Sequence, residues 1–256
     1  MGPEPPLCGK SGENWPNEDI SRGYRHLALP VFGLLVDKRE FLERLRQGAT
    51  SLGVQVPLES EDALFWLAGE LLRWNAKVNL TAIVDPNEVL DKHILDSLSV
   101  APVLTQQTRR LLDVGTGAGF PGLPLALVRP SLEVWLVDAV AKKVGFLKHA
   151  IATLGLAPRV RALHATLKGD PAREGIPEMD AAVSRALKDV PAWAALARPY
   201  LRPEGQLLAM AGGAFEPPGL PGFGVPAVHR VTLPSGAGRT ILGYRRDTVG
   251  ASADGP

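Results

Sequence analysis

The sequence predicts an α/β fold, a doubly wound and mostly parallel seven-stranded sheet behind an N-terminal helical cap. Three observations carry this. From Arg109 onward, short apolar runs alternate with helical patterns, as parallel strands with crossover helices require. The first run ends in a loop with alternate glycines at Gly115, Gly117 and Gly119, which lets the backbone approach a ligand closely. The second run ends in an acid, Asp138, nineteen residues beyond Gly119.

The 256 residues suit one large core, or one core with a small appendage. A hydrophobic share of 45% with 21% charged residues excludes the disordered, collagenous and membrane classes. Lys and Arg total 28 against 27 Asp and Glu, a net charge of +1, so any nucleic-acid site must be a local patch. A lone cysteine, Cys8, permits no internal disulfide and no thiolate metal cluster, which points to a reducing cytoplasm. The 27 glycines and 23 prolines are roughly a fifth of the chain, against about 12% on average. They gather before residue 37, in the loop after the first strand, and between Gly212 and Pro226. Only the middle group reads as chemical.

Taken in order, residues 1–36 read as a flexible extension or a mis-assigned start. The apolar run from Leu27 to Val36 is too short to span a bilayer and lacks a cleavage site. Residues 37–104 form the helical cap. Phe41, Leu42 and Leu45 share one face, and Leu64, Leu67, Ala68, Leu71 and Leu72 share another, with Ser60 as the expected N-cap. Trp66 and Trp74 are expected in the core. Residues 105–247 form the main domain, with strands at 109–114, 133–137, 159–163, 180–184, 205–210, 229–233 and 239–245. Helices fall near 122–129, 141–154 and 189–201, and the last two strands, joined only by a loop, form an antiparallel hairpin. Residues 248–256 are a tail.

The glycine loop admits two nucleotide cofactors. Gly117 to Gly122 matches G-x-G-x-x-G, but a dinucleotide fold closes the strand with its first glycine, and the sixth position counted from Gly115 is Phe120. Asp113 at the end of the strand, followed by Gly115, Gly117 and Gly119, resembles instead the first motif of S-adenosylmethionine-dependent methyltransferases. A structural glycine turn is the third reading. Asp113 then orders the turn or meets a cationic ligand group, and Asp138 accepts hydrogen bonds from ribose hydroxyls.

Further segments sharpen the resemblance. Trp74-Asn75-Ala76-Lys77-Val78-Asn79-Leu80-Thr81 precedes Lys92-His93-Ile94-Leu95-Asp96-Ser97-Leu98. Phe120-Pro121-Gly122 extends the glycine loop, and Lys142-Lys143 and Ser184-Arg185-Ala186 follow. Over about residues 38–246 the chain resembles the bacterial methyltransferases of guanine-N7 in small-subunit ribosomal RNA, once called glucose-inhibited division protein B. The resemblance implies a class I, Rossmann-like fold, S-adenosyl-L-methionine as cofactor, and a guanine in the 530-loop region of 16S rRNA as target. Free rRNA and the 30S subunit are both open as substrate.

It further implies that Gly115 and Phe120 contact the cofactor, that Asp138 takes its ribose, and that Ala165 and Thr166 flank its adenine. Arg185 would stand at the cofactor or substrate mouth. Two positions depart from the family: Thr166 replaces a glutamate, and Ala211 replaces a lysine. The rival readings are a methyltransferase of another RNA or a small molecule, and a non-catalytic nucleotide-binding regulator.

Guanine-N7 carries a free lone pair, so methyl transfer to it needs placement and no general base. No catalytic residue is therefore assigned, Arg185 being the one candidate in a placement mechanism, and Asp96 and Phe120 are candidates to face the cationic product ring. In A-form RNA, N7 lies in a groove too deep and narrow for side chains, so the target must be unpaired or splayed. Nine basic residues stand against three acidic ones between 105 and 168, predicting a basic stripe beside the site. Lys142 and Lys143 are its best pair. Lys92, His93 and Asn79 are further candidates to bind RNA, weighed against a helix hydrogen bond for His93 and a turn for Asn79. No metal site, no membrane contact and a monomer are expected.

Overall fold

The computed structural model describes residues 37–185 and 189–248. The expectations for residues 1–36 and for the tail beyond 248 lie outside them, as does Ala186. Helix α1 (Lys38–Ser51) opens on Asp37, whose carboxylate accepts from Arg39 N. Helix α2 (Leu58–Val78) starts at Pro57 and ends on Asn79, which takes the left-handed conformation. Asn79 therefore closes a helix, with its side chain exposed. Ser60 lies inside α2 rather than at its cap, and its hydroxyl donates to Leu127 O across the core at 2.7 Å. The cap continues through α3 (Pro86–Val89), a π turn (Leu90–Leu95) and α4 (Asp96–Leu98).

Strands β1 (Arg110–Val114), β2 (Glu133–Asp138), β3 (Val160–His164), β4 (Met179–Arg185), β5 (Leu201–Gly212), β6 (Ala227–Thr232) and β7 (Gly238–Arg245) form one seven-stranded sheet. Its order is β3-β2-β1-β4-β5-β7-β6, parallel from β3 to β5, with β7 antiparallel to both β5 and β6. The expected hairpin is present. Strand β5 begins four residues earlier than its alternation predicts, because Arg202-Pro203-Glu204-Gly205 reads as a turn yet runs on as an irregular strand start. Glu204 takes a positive φ of 61° there, and the pairing register shifts between Met179 and Ala181. Helices α5 (Gly122–Val128), α6 (Ala141–Thr153), α7 (Pro171–Glu174) and α8 (Val190–Ala197) connect the strands.

Period-2 alternation sends Leu111 to one face of the sheet and Leu112 to the other. On the Leu112 side, α8 and Leu220 cover Trp135, Ala182 and Leu242. On the Leu111 side, α5 and α6 cover the β1–β3 half. The cap covers the β5–β7 half: Gln206 Nε2 donates to Val103 O at 3.0 Å, and Gly48 packs against Leu95 and Pro234. Cap and sheet thus share one continuous core, and Trp66 is buried in it with Trp74 packed alongside. The cap is a layer of the same domain rather than an appendage. Among the described residues no helix is long and apolar enough to cross a membrane, and no cluster of His, Cys, Asp or Glu could hold a metal ion.

Candidate cofactor and substrate site

The chain leaves β1 in one direction through β2 and β3, then crosses to β4 on the other side of β1. In a doubly wound sheet that reversal opens a crevice beyond the carboxyl ends of the strands at the switch point. The glycine loop lies there. Gly115 N and Thr116 N both donate to Val137 O, at 2.8 and 3.2 Å, fastening the loop to the end of β2. Gly117 N donates to Asp138 Oδ2 at 2.9 Å, and Asp138 Oδ1 accepts from Val140 N at 2.8 Å. Each oxygen of Asp138 keeps a second lone pair for a ligand hydroxyl.

Beneath the loop, Asp113 Oδ2 accepts from Thr116 Oγ1 at 2.6 Å and from Gly122 N at 2.8 Å. Asp113 is fully buried, and of its two expected roles the structure shows the ordering of the turn. Burial pushes its carboxyl up to about 6, against the opposing pull of those two hydrogen bonds.

The glycines divide by what a Cβ would meet. At Gly115 and Gly117, with φ of 68° and 62°, it would enter open space. At Gly119 it would strike Leu123 and Leu147, and at Gly122 it would overlap the side chain of Leu136. The first two form the floor of a cradle and the second two let α5 pack. A cradle bare of side chains beside a carboxylate fits a nucleoside cofactor: Gly115 and Gly117 would pass under it, and Asp138 would take its ribose. Ala165 sits beside the end of β2, its N–H donating to the backbone carbonyl of Asp138 at 3.2 Å, and Thr166 after it is exposed.

The other wall is made by β4 and the cap. Arg185, the last residue of β4, donates from Nη1 to Lys92 O at 3.0 Å and to Asp96 Oδ2 at 3.3 Å. Its guanidinium lies 5.8 Å from the ring centroid of Phe120. His93 stacks on that ring, with centroids 4.7 Å apart. Phe120 and His93 are both buried. Burial, with Arg185 beside it, depresses the His93 imidazole to about 3, so it is neutral at physiological pH. His93 is therefore an internal strut between cap and site rather than an RNA-facing side chain. Asp96 is likewise enclosed between Arg185 and Arg239, so neither it nor Phe120 offers a free face to a product ring.

The basic stripe also divides. Arg109, Arg110, Arg129 and Arg159 lie at the amino ends of the strands, on the edge of the sheet away from the crevice. There Arg159 donates to Leu132 O and Ala126 O, and Arg129 to Thr105 O. Lys142 and Lys143, in the first turn of α6, are on the crevice edge, with Lys142 exposed. Lys92 is partly buried and pairs with Glu88 at 2.5 Å. Thr81, at the end of the Trp74–Thr81 segment, and Arg239, which no local pattern in the sequence marks, join the site through the fold.

A strand–glycine loop–helix with a carboxylate at the end of the next strand, in this strand order, defines a class I S-adenosylmethionine-dependent methyltransferase. The fold agrees with a candidate O-methyltransferase from Klebsiella pneumoniae, which superposes with a TM-score of 0.50 at 14% identity, covering 82% of this chain and 99% of that one. The family model described as rRNA small subunit methyltransferase G matches residues 61–216. The ribosomal RNA small subunit methyltransferase G of Myxococcus xanthus is 52% identical over 177 residues, 69% of this chain and 81% of its own. That of Geobacter sp. strain M21 is 41% identical over 209 residues, 78% and 95%. The chain belongs to the rRNA small subunit methyltransferase G family.

Proposed function

We propose that this chain, acting as a monomer, transfers the methyl group of S-adenosylmethionine to N7 of a guanine in the 530-loop region of 16S rRNA. The observation that supports it most directly is the bare cradle of Gly115 and Gly117 beside Asp138, in a chain belonging to that family. The cofactor supplies an electrophilic methyl on a sulfonium. The N7 lone pair takes the methyl as the carbon–sulfur bond gives its electrons to sulfur, and no proton is lost.

The residues of the chain then have only to bind and place. Gly115, Gly117, Asp138, Ala165 and Thr166 hold the cofactor. Gly119, Phe120 and Asp113 shape the loop, and Arg185 faces the incoming base. Lys142 and Lys143 meet the RNA backbone as point charges, with Lys92 and Asn79 at the rim of the cap.

Incubation with labelled methyl donor and either 30S subunits or bare 16S rRNA, followed by nucleoside mass spectrometry, tests the reading. The expected product is 7-methylguanosine, and its absence where the cofactor binds would overturn the substrate assignment. Asp138→Ala is expected to weaken S-adenosylmethionine binding in calorimetry. Lys142→Ala with Lys143→Ala should leave that binding intact and lower RNA methylation. Equal loss of cofactor binding in both would contradict this division of roles.

A further inference from the structure

One buried carboxylate ties the cap to both strand ends at the mouth of the site. Asp96 Oδ1 accepts from Arg239 Nε at 2.6 Å, and Asp96 Oδ2 from Arg185 Nη1 at 3.3 Å. Arg185 ends β4 and Arg239 lies at the start of β7. Because β7 runs antiparallel to β5, the two arginines share the crevice edge, pairing in register with Met210 and Gly212. A second line of bonds reaches the same guanidinium. Arg185 Nη2 lies 3.2 Å from His93 Nδ1, and His93 Nε2 lies 2.9 Å from Thr81 Oγ1. A guanidinium accepts nothing, so Nδ1 is the bare nitrogen and Nε2–H donates to Thr81.

The π turn makes room for this. Asp96 N–H bonds to Asp91 O, five residues back, rather than to Lys92 O four back, and Lys92 O accepts from Arg185. π turns inside helices are often found at functional sites. Stability alone explains the arrangement poorly. A buried ion pair is often matched or bettered by apolar residues of the same volume, whereas it fixes geometry well. Two long arginines brought side by side repel and carry much rotamer freedom. A carboxylate between them removes both obstacles and leaves one net positive charge facing the crevice.

We propose that Asp96 is a positioning residue for methyl transfer, holding Arg185 and Arg239 as a fixed pair at the mouth through which the target guanine enters. This rests on the function proposed above. Asp96 touches no substrate. It acts through the arginines, with Thr81 and His93 setting the orientation of Arg185 from the other side. A reaction that depends on placement loses rate when its guides shift, by as much as about 100-fold for a displacement of about 1 Å.

The test compares Asp96→Asn, Thr81→Val and Arg185→Lys with Glu70→Gln, a buried carboxylate that joins α2 to α6 away from the site. Cofactor Kd, kcat and KM on 30S subunits, and thermal midpoint are measured for each. Asp96→Asn should lower kcat by about tenfold or more while cofactor Kd stays within about twofold. The double variant Asp96→Asn/Arg185→Lys should lose less than the product of the two single losses, because Arg185 is one of the two guides that Asp96 holds. Glu70→Gln should lower the thermal midpoint without lowering kcat of the folded enzyme. If Asp96→Asn does not fold, Thr81→Val carries the test, with kcat down severalfold at unchanged cofactor Kd. Unchanged kcat in the variant that carries the test, or multiplicative losses in the double variant, would overturn the proposal. A wild-type enzyme that makes no 7-methylguanosine would instead overturn the assigned function.

Discussion

A methyl group added at Gly117 and one added at Gly122 meet opposite fates. At Gly117 it enters open space but forces a left-handed backbone on an L-residue, at roughly 1–2 kcal/mol. Gly117→Ala is expected to remain folded, with that modest loss in denaturant unfolding, and to bind S-adenosylmethionine weakly in calorimetry. Gly122→Ala drives its methyl into Leu136 and Asp113, so it should lose stability by about 1–3 kcal/mol from overpacking. Asp113 adds a pH signature. Its carboxyl sits at about 6 in the folded chain and near 3.8 unfolded, so the folded state binds the extra proton between those values. Stability should therefore fall as pH rises from about 4 to about 6, by up to about 3 kcal/mol. In Asp113→Asn the fall should be absent, and denaturant titrations across that range read the difference. At this scale the local pattern was informative: alternate glycines and a strand-end acid are short-range signals, and the structure brings them together. His93 was not legible in the same way, because its partners Thr81, Phe120 and Arg185 meet it only through tertiary packing.

Elements follow the same division. Strand positions were readable from alternating or continuous apolar runs, since the core covers both faces of the sheet. The exceptions are places where backbone departs from a regular period. The π turn inserts a residue into a helical pattern, and the start of β5 hides a strand behind a proline and a positive-φ glutamate. Between elements, the join of α2 to α6 rests on Glu70. It accepts from Arg73 Nε at 2.8 Å, Trp74 Nε1 at 2.9 Å and, across to α6, from His149 Nε2 at 2.6 Å. Burial pushes this carboxyl up, but the hydrogen bonds from Arg73, His149 and Trp74 outweigh it and hold it below its ordinary value of 4.5. The stabilisation is present above that ordinary value and lost as pH falls through the lower folded one. Glu70→Ala removes the acceptor shared by three donors, of which Arg73 and His149 can still reach water, and a loss of ~1–2 kcal/mol is expected in urea unfolding at neutral pH.

Across the whole molecule, net charge was a poor guide because it averages over two edges of the sheet with different work. On the amino edge Arg129 and Arg159 donate to carbonyls and Arg110 pairs with Glu133, while Lys142 and Lys143 stand on the crevice edge. Removing one cation that neutralises a phosphate should lower the slope of log affinity against log salt by nearly one. Lys142→Ala with Lys143→Ala is expected to lower it by up to about two, and Arg109→Ala with Arg110→Ala to leave it unchanged, as filter binding over a salt series would show. The shared core of cap and sheet has a consequence for any attempt to isolate the catalytic part. A fragment begun at residue 105 would contain the glycine loop, Asp138 and Arg185, yet Leu208, Met210 and Ile241 would face water where the cap now lies. Such a piece should associate through that bare face rather than work alone. The smallest functional length of this chain is set by what covers the back of the sheet, not by where its motifs begin.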